Sequence, residues 1–281
     1  MSEIMLWQFK AYLMQPISWI LGTIGLLLGS FYNVCIYRIP RESFWDSRRS
    51  HCPGCGALIP SWHNIPIFSY LWLRGRAHCC KMRISLRYPL VEFLTGLSLC
   101  LIYWKFSFLS DFPLIRVVDF NNLLRFLHAF SFTSLLLICS FIDIDHKIIP
   151  DVISIPMILL TPLIIWLHPE LDWKSGLIGV LLGGGSVILI NRIYYLLRGE
   201  TGIGMGDAKL LAAIGGWLGY QAIFPTFFYG SILGSLFGVS AMILKKRLNL
   251  KSEIPFGPFL AVGALLHMFL SRQVQELFFY F

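Results

Sequence analysis

The stretch Leu135-Leu136-Leu137-Ile138-Cys139-Ser140-Phe141-Ile142-Asp143-Ile144-Asp145-His146-Lys147-Ile148-Ile149-Pro150-Asp151 decides the fold. Its apolar first half continues a run that begins near residue 122. Together they supply the roughly 20 residues that a helix needs to cross a bilayer. The run ends on carboxylates. Acids at the edge of a membrane-crossing segment are costly there and are mostly carried for a function. A second stretch, Gly202-Ile203-Gly204-Met205-Gly206-Asp207-Ala208-Lys209, shows the reverse order, with Asp207 opening an apolar run.

Outward from these two stretches, the whole chain has the same character. Of 281 residues, 56% are hydrophobic and only 14% charged, against about a quarter charged in soluble domains. Eight apolar runs stand out, at about 17–37, 89–109, 122–142, 150–168, 175–197, 208–221, 223–244 and 256–275. The sixth is short. The expected fold is an all-α integral membrane protein, polytopic, with about eight transmembrane helices. The first run reads as a retained helix, because no small-residue cleavage site follows it.

Charge sets the expected orientation. Placing residues 38–87 in the cytoplasm also puts the loops near 143–150, 198–207 and 245–255 there. Only Lys10, Lys105, Arg116, Arg125, Lys174 and Arg272 then fall on the other side, which agrees with the positive-inside rule. Both acidic stretches come to the cytoplasmic face. The net charge of +8 is accounted for by basic loops beside anionic lipid, so no nucleic-acid partner is implied.

The chain divides into a first transmembrane region (1–38), a small cytoplasmic cysteine-containing module between the first two helices (39–87), and a polytopic membrane domain (88–281). About 48 residues make a poor core without a staple. In a reducing compartment that staple is a metal rather than a disulfide. Cys52 and Cys55 have zinc-knuckle spacing. The second half is the adjacent pair Cys79-Cys80, whose side chains are expected to strain in reaching one ion, with His78 or His51 as the alternative fourth ligand. A reduced module held by packing is the other reading. Cys35, Cys100 and Cys139 lie in apolar runs and read as core residues. Residues 105–121 read as an outside loop, with Asp111-Phe112-Pro113 as a turn signal.

Asp143 closes one run and Asp207 opens another, so both fall at the same face. Asp143 and Asp145 are two apart and point about 200° away from each other on a helix. Asp151 follows Pro150 and reads as a helix N-cap. Gly202, Gly204 and Gly206 permit close backbone approach beside Asp207, more than a plain cap needs. Lys147 and Lys209 read mostly as topology determinants, with tuning of the acids as their other role. Two close carboxylates share one proton: one acts as base on water while the other polarises a carbonyl, the chemistry of an aspartic protease.

Several motifs occur in order: Gly29-Ser30-Phe31-Tyr32-Asn33-Val34 with Arg38-Ile39-Pro40, Cys52-Pro53-Gly54-Cys55, Trp62-His63-Asn64-Ile65-Pro66, Ile84 through Glu92 with Leu94-Thr95-Gly96, Asp143 through Asp151, and Gly204 through Lys209 ending Ala212 through Gly219. In this order they resemble the bacterial type IV prepilin peptidases of the GxGD aspartyl protease family. The resemblance implies a bifunctional enzyme of the bacterial inner (cytoplasmic) membrane, multi-pass in the lipid bilayer. It would cleave the leader of type IV prepilins or type II secretion pseudopilins at the cytoplasmic face. It would then methylate the new N-terminus with S-adenosylmethionine. The catalytic pair carries over to Asp143 and Asp207, with Gly204, Gly206, Lys209, Asp145 and Pro150 in the active-site loops. From the residues themselves, Zn2+ on Cys52, Cys55, Cys79 and Cys80 is one of the two open readings of the module.

The chain departs from the family pattern at Ala77, which stands where the first cysteine of a second Cys-x-x-Cys would be, with Cys80 at the second position and Cys79 extra. His63 replaces an acidic residue before Asn64. Two other readings carry distinct expectations. A protease-only enzyme would keep the cysteine module for structure alone. A proton-coupled membrane transporter would place its acids at mid-membrane and show repeated helix patterns.

Overall fold

The computed structural model describes residues 15–41, 52–111, 116–168, 170–199, 202, 204–245 and 254–279. His51, the Phe112-Pro113 part of the turn signal, and most of the basic loop at 245–255 lie outside the described residues. The chain forms two compact units, residues 1–130 and 131–281.

In the first unit, helix α1 (Pro16–Arg38) starts on a proline, whose missing N–H is no loss in a first turn. It packs along α3 (Arg87–Lys105). A Cβ built on Gly29 would stand 2.6 Å from Glu92 Cα, and one on Gly25 would stand 2.7 Å from Gly96 Cα. Only glycine lets these two backbones approach so closely, the means by which helices associate where lipid supplies no hydrophobic drive. Between them in sequence lie a 3-10 turn (Ser61–Asn64) and the short helix α2 (Phe68–Trp72). After α3, strands β1 (Leu109–Asp111) and β2 (Arg116–Val118) pair as an antiparallel hairpin. This is a small exception to an all-helical chain, within the expected outside loop. Tyr103 and Phe126 pack edge-on against Phe108 at 5.3 and 5.1 Å.

Helix α4 (Phe120–His146) crosses the boundary between the units. The second unit continues with α5 (Asp151–Leu159), α6 (Thr161–Leu167), α7 (Trp173–Arg198), α8 (Met205–Leu218), α9 (Ile223–Lys245) and α10 (Gly257–Phe279). The run expected as one span at 150–168 is thus two helices. Pro156 lies inside α5 and Pro162 at the head of α6, and a proline deprives the preceding turn of a hydrogen bond.

Four helical stretches among the described residues are long and apolar enough to cross a membrane: Pro16–Arg41, Phe120–His146, Trp173–Arg198 and Tyr220–Ile243. Gly257–Leu270 is a shorter apolar helix. The chain is therefore a helical membrane protein. On α7, Leu181, Leu196 and Leu197 are exposed, a surface suited to lipid.

Helix α8, the run expected at 208–221, is the best enclosed. Every residue from Leu210 to Trp217 is buried, the sign of a helix surrounded by other helices. Its 14 residues span about 21 Å. Gly179 of α7 and Gly215 of α8 touch backbone to backbone, leaving no space for a side chain on either. Trp217 Nε1 donates to Met157 O at 2.8 Å, fixing α8 to α5, and its ring stacks on Phe132 of α4 at 5.8 Å. These contacts fix the C-terminal end of α8, the end opposite Asp207.

Candidate functional site

The acidic site is assembled within the second unit from the ends of α4, α8 and α10. Helix α4 stays helical through Asp145 and His146, then stops as Lys147 turns into the left-handed region at φ 56°. The Lys147 N–H still donates to Asp143 O at 2.8 Å, closing the last turn. On this regular helix Asp143 faces inward at 5% exposure while Asp145 is exposed, as their spacing requires. Asp143 Oδ2 accepts the N–H of Gly257, the first residue of α10, at 2.9 Å.

Asp207 is the third residue of α8, and Gly204 is the N-cap. The Gly204 N–H is directed at the Asp207 carboxylate. This is one half of a capping box, in which an acid at that position reaches back to the cap. Ile149 lies against a glycine on each side of the site. A Cβ on Gly206 would lie 3.1 Å from Ile149 Cβ, and one on Gly257 would lie 3.3 Å from Ile149 Cδ1. The glycines beside Asp207 and Asp143 thus rest on one side chain.

Two other residues differ from expectation. Asp151 is the first helical residue of α5 and caps nothing; the cap position belongs to Pro150, whose carbonyl accepts from Ile153 and Ser154. A carboxylate at that point instead meets Lys209 of α8, Nζ to Oδ1 at 2.6 Å. Lys209 therefore spends its ammonium on α5 rather than on Asp207. Gly204 is exposed and Gly206 half-buried, so the entrance to α8 is open on the Gly204 side.

The cysteine module lies in the first unit and is built from two matching turns. Cys52 N–H donates to Ala57 O and Gly56 N–H to Cys52 O, both at 2.8 Å. In the second turn Ala77 N–H donates to Met82 O at 2.8 Å and Lys81 N–H to Ala77 O at 2.9 Å. Gly56 and Lys81, at equivalent places, are left-handed at φ 70° and 59°. Ala77 thus sits where Cys52 sits, and Cys80 where Cys55 sits. Adjacent Cys79 and Cys80 were expected to strain in reaching one centre, but the turn brings both inward. The four Sγ atoms of Cys52, Cys55, Cys79 and Cys80 lie within 4.8 Å of one another. Cys55 Sγ is 3.2 Å from Cys79 Sγ, and Cys52 Sγ is 3.6 Å from Cys80 Sγ. The Gly54 N–H, the largest influence, helps draw the Cys52 thiol down to about 6, while hydrogen bonding to Cys55 holds the Cys79 thiol up at about 12. Thiols this close trade protons among themselves, and a cation could replace those protons.

A cleft of about 490 Å³ opens beside this cluster, also within the first unit. Helix α1 contributes Ser30, Asn33 and Tyr37, one helical face, and α3 contributes Tyr88 and Glu92. Glu92, Asn33 and Gly257 were not singled out for roles from sequence. An acid inside the apolar run 89–109 is the same signal that marks Asp143, and a glycine wedged between Phe256 and Pro258 at the head of a run is a second such signal.

Comparison with known proteins joins the two units to known families. The bacterial peptidase A24 N-terminal domain matches residues 23–106, and the type IV leader peptidase family matches residues 130–239. A prepilin leader peptidase/N-methyltransferase of Neisseria gonorrhoeae is 34% identical over 266 residues, 86% of each chain. Proteins of the same description from Pseudomonas putida and Pseudomonas aeruginosa are 33% and 32% identical, over 92% and 95% of each chain. No solved structure matches.

Proposed function

The chain belongs to the type IV leader peptidase family, and from that premise we propose that it removes the leader of prepilins or pseudopilins and N-methylates the new N-terminus. The observation that carries the peptidase reading is that Asp143, held by the Gly257 N–H, and Asp207, in the first turn of α8, stand at helix ends whose glycines Gly257 and Gly206 both face Ile149.

In this reading one carboxylate takes a proton from water. The resulting nucleophile attacks the scissile carbonyl carbon, and the other carboxyl hydrogen-bonds the carbonyl oxygen. The tetrahedral intermediate collapses by breaking the C–N bond, and the leaving amine takes up a proton. Peptide carbonyls are hidden in a helix, so the substrate must be extended at the cut. The exposed backbone at Gly204 offers it a place to lie. Asp145 is directed away, and Lys209 holds α5 against α8. Four long apolar helices, with the shorter ones completing about eight crossings, would embed this site in the bacterial inner membrane with the acids at the cytoplasmic face.

The cysteine cluster suits one structural Zn2+. A tetrahedral site with Zn–S near 2.3 Å needs sulfurs about 3.8 Å apart, and the observed pairs at 3.2 and 3.6 Å are close to that. Cys52, Cys55, Cys79 and Cys80 would hold the ion, which would supply cross-linking to a module that has little core. Methyl transfer would draw on S-adenosylmethionine, which supplies an activated methyl on sulfur. The cleft beside the cluster has the size of a small-molecule site, with the rings of Tyr37, His63 and Tyr88 to pack on a ligand.

The test is cleavage of a prepilin by purified enzyme in detergent, comparing wild type with Asp143→Asn, Asp145→Asn and Asp207→Asn. The expected outcome is loss of cleavage in the first and third and retention in the second. Full activity in Asp207→Asn overturns the mechanism. Methylation is read on the same product as a gain of about 14 Da, one methyl replacing one hydrogen in the transfer that forms the N-methyl group.

A further inference from the structure

Glu92 is a carboxylate that the peptidase chemistry does not use. It sits on α3 with 8% of its surface exposed and lines the cleft of the first unit. Its Oε2 accepts the N–H of Ile67 at 2.8 Å, and the Ser30 hydroxyl also reaches the carboxylate. An ionised carboxylate has about four acceptor sites, so capacity remains. Among the described residues no cation pairs with it.

A second acceptor waits in the same cleft. Asn33 is 4% exposed, and its Nδ2 donates to Tyr88 O at 3.0 Å. That bond fixes which way the amide points, because the reverse orientation would set two oxygens against each other. Asn33 Oδ1 is then a buried acceptor with no partner. Buried acceptors left unsatisfied are rare and call for an explanation.

The backbone that feeds Glu92 is itself strained. Ile67 lies at φ 58° and ψ −49°, a region in which a β-branched residue is a genuine outlier. Strain of this kind collects where a site over-determines the backbone. Here it aims the Ile67 N–H at the carboxylate.

Arg38 and Arg83 also line the cleft, but the two buried acceptors, one of them charged and paired with no cation among the described residues, complement a ligand that is all donors and positively charged. A primary ammonium has three N–H donors and no acceptor. We infer that Glu92 and Asn33 form the pocket for the free α-ammonium of the cleaved substrate, with Glu92 as the base that frees its lone pair for methylation. This deepens the methyltransferase half of the proposed function and rests on it. The step balances as follows. One ammonium proton passes to the Glu92 carboxylate. The nitrogen lone pair then forms a bond to the donor's methyl carbon, and the S–CH3 bond breaks with its electron pair going to sulfur. The products are an N-methylammonium group and a neutral thioether. Rings from Tyr37, Tyr88 and His63 line the same cleft and would exclude water from the transfer.

The test measures binding first. The probes are a peptide with a free N-terminal phenylalanine and its N-acetylated twin, each titrated onto full-length enzyme in detergent. Wild type is expected to prefer the free amine by about ten-fold or more, the size of a hydrogen bond to a charged group. Glu92→Gln keeps an oxygen for Ile67 and Ser30 but removes the charge, so the preference should vanish. Glu92→Asp should keep part of it. Equal binding of the two peptides to wild type, or an undiminished preference in Glu92→Gln, overturns the inference. If Glu92→Gln does not fold, the wild-type preference and the Glu92→Asp variant still decide.

A pH profile is the second readout. Glu92→Gln should methylate about 100-fold more slowly at neutral pH, the lower range for loss of a general base. The rate should recover toward pH 9, where an α-amino group of pKa about 8 is already neutral. A purely structural role would give no such recovery, and its absence overturns the assignment. Cleavage is scored separately. A chain that fails to cut prepilin sinks the peptidase reading, whereas a chain that cuts but shows no amine preference sinks only this pocket.

Discussion

The N–H of Gly257 donates to Asp143 Oδ2 at 2.9 Å although the two residues are 114 positions apart. This bond brings the start of α10 to the end of α4 and fixes the direction of one acid of the pair. It also explains why residue 257 is a glycine. A Cβ there would stand 2.8 Å from that same Oδ2 and 3.3 Å from Ile149 Cδ1.

Gly257→Ala should therefore act on cleavage more than on folding. The N–H donor remains, but the added methyl pushes the carboxylate aside by a few tenths of an ångström or turns it off its rotamer. Misplacement near 1 Å can cost about 100-fold in rate, so the expected loss in cleavage is about 10- to 100-fold. Thermal unfolding should shift little. The comparison is a cleavage time course beside a melting curve in the same detergent. Unchanged cleavage would show that the Asp143 carboxylate is not held at a single working position.

The Lys209–Asp151 pair predicts the opposite pattern. Its side chains are 34% and 56% exposed, and ion pairs that accessible contribute about 0–1 kcal/mol. Lys209→Ala and Asp151→Ala should each change stability by less than about 1 kcal/mol and cleavage by only a few-fold. A double-mutant cycle on unfolding should return a coupling in the same range. Cleavage abolished by Lys209→Ala alone would mean that the lysine acts on the acids and not on α5.

Much of this was legible in the sequence because it follows from one-dimensional rules. Apolar length marked the four long membrane helices among the described residues, and helical periodicity alone separated Asp143 from Asp145. The site's closure was not legible, because it depends on contacts remote in sequence. Nothing local to Gly257 says that its N–H meets Asp143, and nothing local to Lys209 says that it faces Asp151. The break at Leu160 was missed because hydropathy is blind to Pro156 and Pro162, which interrupt the hydrogen-bond ladder without lowering apolarity. Adjacent Cys79 and Cys80 were expected to strain in reaching one ion, but in a turn that closes with Lys81 in the left-handed region both sulfurs reach the cluster.

The α7–α8 contact carries a stability prediction. Gly179 and Gly215 bring two backbones into direct touch, and α8 carries Asp207 at its head. Gly179→Leu must drive the helices apart. Overpacking typically costs about 1–3 kcal/mol and more where backbone must move, so a value at or above about 3 kcal/mol is expected. Cleavage should fall together with the melting temperature. Gly185→Ala, on the same helix with open space around its Cβ position, should be neutral or slightly stabilising, since alanine favours helix over glycine by about 1 kcal/mol. Equal tolerance of both substitutions would show that α7 does not lie against α8 at Gly179.

The displaced cysteine gives a prediction that separates geometry from chemistry. In the second turn Ala77 occupies the place that Cys52 has in the first, and the two share the same backbone hydrogen bonds. Cys79 supplies a sulfur that Ala77 lacks, and it reaches the cluster from a different point of the turn. Wild-type protein should carry about one zinc per chain, the occupancy of a closed four-thiolate site. Cys79→Ser should lose most of it, because three thiolates leave the fourth position open. Adding Ala77→Cys to Cys79→Ser should restore it, because the backbone at 77 already presents a side chain as the backbone at 52 does. Elemental analysis of the purified variants checks each step, with protease sensitivity of residues 52–87 reporting whether the module stays closed. Full zinc in Cys79→Ser would show that three thiolates and another donor suffice. Failure of the double variant to recover zinc would show that the matching hydrogen bonds do not place residue 77 toward the ion.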